Sequence, residues 1–143
     1  MTKDEIKRMD EQALAAWDKH DANAFVGMFA DNFTWYDWTM PQPIRDKAAA
    51  RQYFDGWTAA IPDMKTTVVS RVIGDDSVAS EITFSGTNTG PLVMGGKSLP
   101  PTNKKVVGRG SYITRFASGK IVEYRSHPDV AGLMMQLGVM PGM

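Results

Sequence analysis

Residues 57–73 read Trp57-Thr-Ala-Ala-Ile61-Pro-Asp-Met-Lys65-Thr-Thr-Val-Val-Ser70-Arg-Val-Ile73, and the spacing of apolar residues changes inside them. Upstream, Ala50, Tyr53, Phe54, Trp57 and Ile61 recur every three to four residues, which is the period of one helix face. Pro62-Asp63 ends that stripe, because the residue before a proline is pushed out of the helical region. Downstream the period becomes two, over Lys65 to Ile73 and again over Ser77 to Thr87, with Gly74-Asp75-Asp76 as the turn between them. Helices gathered before this point and strands after it define an α+β class.

Working toward the N-terminus, Asp46 can cap the helix that runs to about Ala60. Pro41 and Pro43 force a loop ahead of it. The aromatic and β-branched run Phe33-Thr-Trp-Tyr-Asp-Trp38 reads as an isolated early strand, opened by the turn signal Asp31-Asn32. Lys3 to Asp18 places Ile6, Met9, Ala13, Ala16 and Trp17 on one helix stripe, and Asp21 caps a short second helix burying Phe25, Met28 and Phe29. Toward the C-terminus, Gly90, Gly95, Gly96, Pro91, Pro100 and Pro101 make residues 88–103 a long irregular excursion of the kind that serves as a lid. Lys104 to Phe116 and Lys120 to His127 form a hairpin around Ala117-Ser118-Gly119. Asp129 caps a last helix, Val130 to Leu137, closed by Gly138. The expectation is one domain over residues 1–143: a cone-shaped, curved antiparallel sheet wrapped round helices, with an internal hydrophobic cavity.

Composition narrows the chemistry. The chain has 143 residues, with 16 Lys+Arg against 16 Asp+Glu, two His and no Cys. Neutrality argues against nucleic-acid binding, which needs a field of unpaired cations. The missing thiols remove disulfides, Cys nucleophiles and Cys-ligated metals, and two His far apart argue against a metal site. The charged start Met1-Thr-Lys-Asp-Glu-Ile-Lys-Arg8 is unlike a signal peptide, and no apolar run approaches the roughly 20 residues of a membrane helix. The expectation is a cytoplasmic protein that does without cofactors and uses carboxylates, His, Tyr and Trp.

Several stretches carry a resemblance. Trp57-Thr-Ala-Ala-Ile-Pro-Asp63, Gly86-Thr-Asn-Thr-Gly90, Pro100-Pro-Thr-Asn-Lys-Lys-Val106, Gly119-Lys-Ile-Val-Glu123 and Asp129-Val-Ala-Gly-Leu-Met-Met-Gln-Leu-Gly138 resemble the SnoaL-like polyketide cyclases. These belong to the nuclear-transport-factor-2-like superfamily, which has the cone-shaped fold of the ketosteroid isomerases. The resemblance covers nearly the whole chain and is much more specific for fold than for reaction, since one fold hosts many activities. It implies cofactor-free acid–base catalysis, in which a carboxylate removes a carbon-bound proton from a polyketide ester before ring closure. It also implies a homodimer through the open sheet face.

Candidate residues follow. On a strand, Phe33, Trp35 and Asp37 share a face, and the stretch ending at Asp37 is similar to the one that ends in the ketosteroid isomerases' general base. The bland alternative is a strand-end Asp capping the next loop. Asp129 matches the family's acidic residue ahead of the closing helix, against the simpler role of helix N-cap. His127, two residues before it, is a proton shuttle or a surface histidine. Tyr112 falls where isomerase-like relatives place an inward polar residue, and a phenol there can donate to a developing enolate. The isomerases' oxyanion tyrosine on the first helix has no counterpart, since Ala13 stands there. An epoxide hydrolase would need an Arg between two carboxylates, whereas Gly108 and Gly110 flank Arg109; the arginines Arg109, Arg115 and Arg125 read as sheet-face or dimer-interface residues. Trp17, Phe29, Trp35, Trp38, Tyr53, Trp57, Phe84, Met94, Tyr124, Ser126 and Met134 are candidates for the substrate-binding wall, with core packing as the alternative for each.

Three functions fit these residues. One is an enzyme that cyclises or isomerises a hydrophobic ketone or ester, with an epoxide hydrolase or dehydratase as a variant. Another is a non-catalytic small-molecule-binding module. The last is an interaction module whose cone is filled by side chains.

Overall fold

The Thr2 hydroxyl accepts the Glu5 N–H while the Glu5 carboxylate accepts the Thr2 N–H, a reciprocal cap that starts α1 (Lys3–Asp18). Asp21, Asp46 and Asp129 cap α2 (Ala22–Gly27), α3 (Lys47–Ala60) and α4 (Val130–Leu137) with their carboxylates, and Gly138 closes α4 at a left-handed φ of 73°. This computed structural model describes residues 1–94 and 96–139. The strands are β1 (Phe29–Asp37), β2 (Lys65–Ile73), β3 (Ser77–Thr87), β4 (Leu92–Met94), β5 (Lys97–Leu99), β6 (Lys105–Ala117) and β7 (Lys120–Pro128).

Five strands form one curved, unclosed sheet in the order β1-β7-β6-β3-β2, and β4 and β5 pair by themselves. Its pairs are antiparallel except β1 with β7, which run parallel with Asp37 opposite Ser126. Two features differ from the sequence expectation. Strand β1 begins at Phe29, so Phe29 belongs to the sheet rather than to the second helix, and Asp31-Asn32 lie in a bulge between Phe29 and Thr34 instead of a turn. A second register shift, between Val68 and Ser70, reverses the faces of β2: Val69 and Val72 point to solvent and Arg71 points inward.

The core has two parts. Trp35, Phe25, Phe29, Phe54, Ile6 and Ile121 pack between the first three helices and the sheet. Ala60, Ile61, Leu92, Leu133, Met134 and Leu137 form the second part under α4, with Met94 and Leu99 against it. The excursion over residues 88–103 is tied to this second part by buried Asn88. Its amide donates to the carbonyls of Ala60 and Gly90 and accepts from the Thr102 N–H and hydroxyl. A side chain at Gly90 would come within 1.8 Å of the Ala59 carbonyl oxygen, so only glycine permits this approach. No described helix is long and apolar enough to cross a membrane.

Candidate active site

The inward faces of β1, β6, β7, β2, β3 and the stripes of α1 and α3 enclose a cavity of about 100 Å³. Its walls include Trp17, Trp35, Tyr53, Trp57, Phe84, Tyr112 and Tyr124. Alternation along β1 turns Phe33, Trp35 and Asp37 inward, and all three are buried. Among the described residues, Asp37 is the one carboxylate in the lining.

Four donors hold that carboxylate. Oδ2 accepts from the Tyr53 hydroxyl at 2.7 Å and from the Ser126 hydroxyl; Oδ1 accepts from the Thr39 N–H at 2.8 Å and from the Thr39 hydroxyl. An ionised carboxylate has about four lone-pair sites, so each of them is used. Behind Ser126, the Trp35 indole N–H donates to its Oγ at 2.8 Å. Burial, followed by the charge of Asp37 and its hydrogen bond, raises the Tyr53 phenol far above its usual range, which keeps Tyr53 a donor.

A second polar centre closes another side of the cavity. Asp10, 2% exposed on α1, accepts from Arg71 Nε at 2.7 Å, from the Ser80 hydroxyl at 3.1 Å and from the Tyr112 hydroxyl at 2.7 Å. The Tyr112 ring stacks on Tyr124, centroids 5.6 Å apart and planes within 13°. Burial and then the charge of Asp10 hold Tyr112 neutral, and burial does the same for Tyr124. Tyr112 spends its single proton on Asp10 and has none left for a ligand. The Tyr124 hydroxyl has no protein partner among the described residues, and no unpartnered polar side-chain atom is sealed in the core, so it opens to the cavity it lines. Sequence reasoning missed Asp10 and Arg71. The signal for Asp10 was a charge at core spacing between Ile6 and Ala13.

Several expected site residues stand elsewhere. Asp129 is exposed, caps α4 through the Gly132 N–H at 2.9 Å and lies in a separate surface hollow with Arg109 and Gln136. His127 borders the cavity, and its imidazole packs against Trp38, ring centroids 5.8 Å apart. Trp38 is 72% exposed and is no part of the wall. Phe29 lies in the core behind Trp35, and Met94 and Met134 lie in the second core part under α4. Arg109 and Arg115 are exposed on the sheet, while Arg125 pairs with Glu123 at 2.8 Å and covers the Tyr36 ring. Among the described residues no group of three His, Asp or Glu is placed to hold a metal ion.

A curved, unclosed sheet packed on helices, with an aromatic cavity between them, is the architecture of the nuclear-transport-factor-2-like folds. The profile of the SnoaL-like polyketide cyclases matches residues 7–137, and the chain belongs to that family. Among solved structures it is similar to AclR of Streptomyces galilaeus, with 25% identity over 99% of this chain and 86% of that one and a TM-score of 0.83. TsrD of Streptomyces laurentii is similar at 21% identity over 98% and 99% of the two chains, with a TM-score of 0.83. IdmH of Streptomyces antibioticus is similar at 23% identity over 93% and 98%, with a TM-score of 0.77. No curated protein matches the chain.

Proposed function

We propose that the chain is a cofactor-free enzyme that removes a proton from the carbon beside the carbonyl of a hydrophobic ketone or ester. The observation that carries this reading is the burial of Asp37 in a largely apolar cavity, with a phenol that has no protein partner among the described residues, Tyr124, in the same lining. Family membership supports it, as does likeness to AclR and IdmH, which are provisionally assigned as a hydroxylase and a polyketide cyclase.

The Ser126 hydroxyl is the donor that yields, because Trp35 holds its oxygen while its proton swings from Asp37 Oδ2 to the substrate. Oδ2 then takes the carbon-bound proton. The electron pair left behind moves onto the carbonyl oxygen, and Tyr124 donates a hydrogen bond to that oxyanion. Attack of the enolate carbon on a second carbonyl closes a ring, and the proton held on Asp37 passes to the alkoxide that forms there. Return of the proton to another carbon gives isomerisation instead.

The saturation of Asp37 by four donors favours a second reading, in which the carboxylate ties β1, β7 and α3 together and the cavity only binds. Asp37→Asn and Asp129→Asn, assayed for ring closure on a panel of hydrophobic β-keto esters, separate the two. Loss of turnover in Asp37→Asn alone supports the enzyme. Ligand binding without turnover in the unsubstituted protein supports the binding module.

A further inference from the structure

Three inward positions on β6 follow one another: Gly108, Gly110 and Tyr112. The two glycines differ in what replaces their missing side chain. A Cβ at Gly108 would lie 2.0–2.5 Å from atoms of the Phe84 ring, so that ring already fills the place. A Cβ at Gly110 would meet only Pro128 Cα at 3.5 Å and the His127 carbonyl oxygen at 3.6 Å, both ordinary contacts, and no side chain covers it. Gly110 lines the cavity. The space its side chain would take is therefore part of the cavity that Ser126 and the Asp37 carboxylate also line, with Gly110 opposite Pro128 on β7.

The volume limits what enters. An engineered apolar cavity of about 150 Å³ takes one benzene. At about 100 Å³ this one is smaller still, so it takes a group no wider than a single ring and leaves the rest of a ligand in its open mouth. Most of its walls are aromatic and aliphatic, and Asp37 is its one carboxylate among the described residues.

We infer that the reacting part of the substrate is a carbonyl-bearing group no wider than a single ring, seated on the bare backbone of Gly110, and that Gly110 is the residue that sets the width of the group accepted. The inference rests on the enzyme reading for the identity of the reacting group, but its geometry is a statement about binding. Gly110 is a specificity-determining residue with no hydrogen-bonding part in the reaction. The backbone there is ordinary extended strand, so a larger residue costs cavity space rather than strain.

Isothermal titration of acetophenone, 1-acetylnaphthalene and 9-acetylanthracene into the purified protein tests it. Acetophenone should bind at least about tenfold more tightly than 9-acetylanthracene. Gly110→Ala should weaken acetophenone about tenfold and Gly110→Val should abolish its binding, while both variants unfold within a few degrees of the parent. Equal or tighter binding of the tricyclic ketone overturns the inference, as does Gly110→Ala binding acetophenone like the parent. Should Gly110→Val fail to fold, the Ala variant and the ring series still decide. The titrations in Asp37→Asn keep the two readings apart: loss of turnover with the same order of ring sizes upholds the geometry and the base together, and retained turnover with that order sinks the base alone.

Discussion

The Tyr53 hydroxyl, carried by α3, donates to Asp37 Oδ2 at the end of β1 across 2.7 Å, and this bond joins the helical half of the chain to the sheet at the candidate site. Tyr53→Phe keeps the ring against Trp35 and removes only the donor. It should cost about 1.5–3 kcal/mol in urea denaturation, the range for a bond to a charged group. Ser126→Ala should cost more, because it also leaves the Trp35 indole N–H without its acceptor.

Asp10 is the anchor of the second polar centre. Asp10→Ala strips the partner from Arg71, whose side chain is 15% exposed, and leaves the Tyr112 and Ser80 hydroxyls unpaired. The expected loss is about 3–5 kcal/mol, the range for breaking a buried pair from one side. Chemical denaturation of Asp10→Ala beside Tyr112→Phe checks it, with the phenylalanine variant losing less.

Alkaline titration followed by tyrosinate absorbance reads the cavity wall directly. Tyr53, Tyr112 and Tyr124 are all raised, chiefly by burial, so their folded-state ionisation lies above the ordinary value near 10. The stabilisation they contribute is complete below that pH and is lost as pH climbs through and beyond it. These three phenols should ionise together with unfolding, in one step. Gradual ionisation of all four tyrosines in the folded protein is the contrary result.

Asp129 is a helix cap in this structure and stands outside the cavity. Asp129→Ala should lower stability by about 1 kcal/mol and leave ligand affinity unchanged. Thermal unfolding and titration of acetophenone measure the two effects separately.

The fold and one half of the site were legible in the chain, for reasons visible in particular residues. The period change at Pro62, the apolar stripe from Ile6 to Trp17, the aspartate caps at Asp46 and Asp129 and Gly138 are local signals, and they placed α1, α3, β2, β3 and α4. Inward alternation of Phe33, Trp35 and Asp37 is likewise local. The partners of Asp37 are not: Tyr53 and Ser126 lie 16 and 89 positions away, and only the parallel pairing of β1 with β7 brings Ser126 alongside. Arg71 was hidden by the β2 bulge, since strict alternation from Thr66 would have put it outside. His127 and Asp129 sit close together in the sequence, but the helix cap holds Asp129 outside the cavity while His127 borders it with its ring against Trp38.

Exchange of the methyl hydrogens of acetophenone for deuterium in D2O, followed by proton NMR, tests the central claim most directly because it needs only proton abstraction and no knowledge of the natural substrate. The parent protein should accelerate exchange over buffer, and Asp37→Asn should lower that acceleration by about 100-fold or more, with Asp129→Asn unchanged. Exchange that is absent in the parent, persists in Asp37→Asn or disappears in Asp129→Asn would contradict Asp37 as the base.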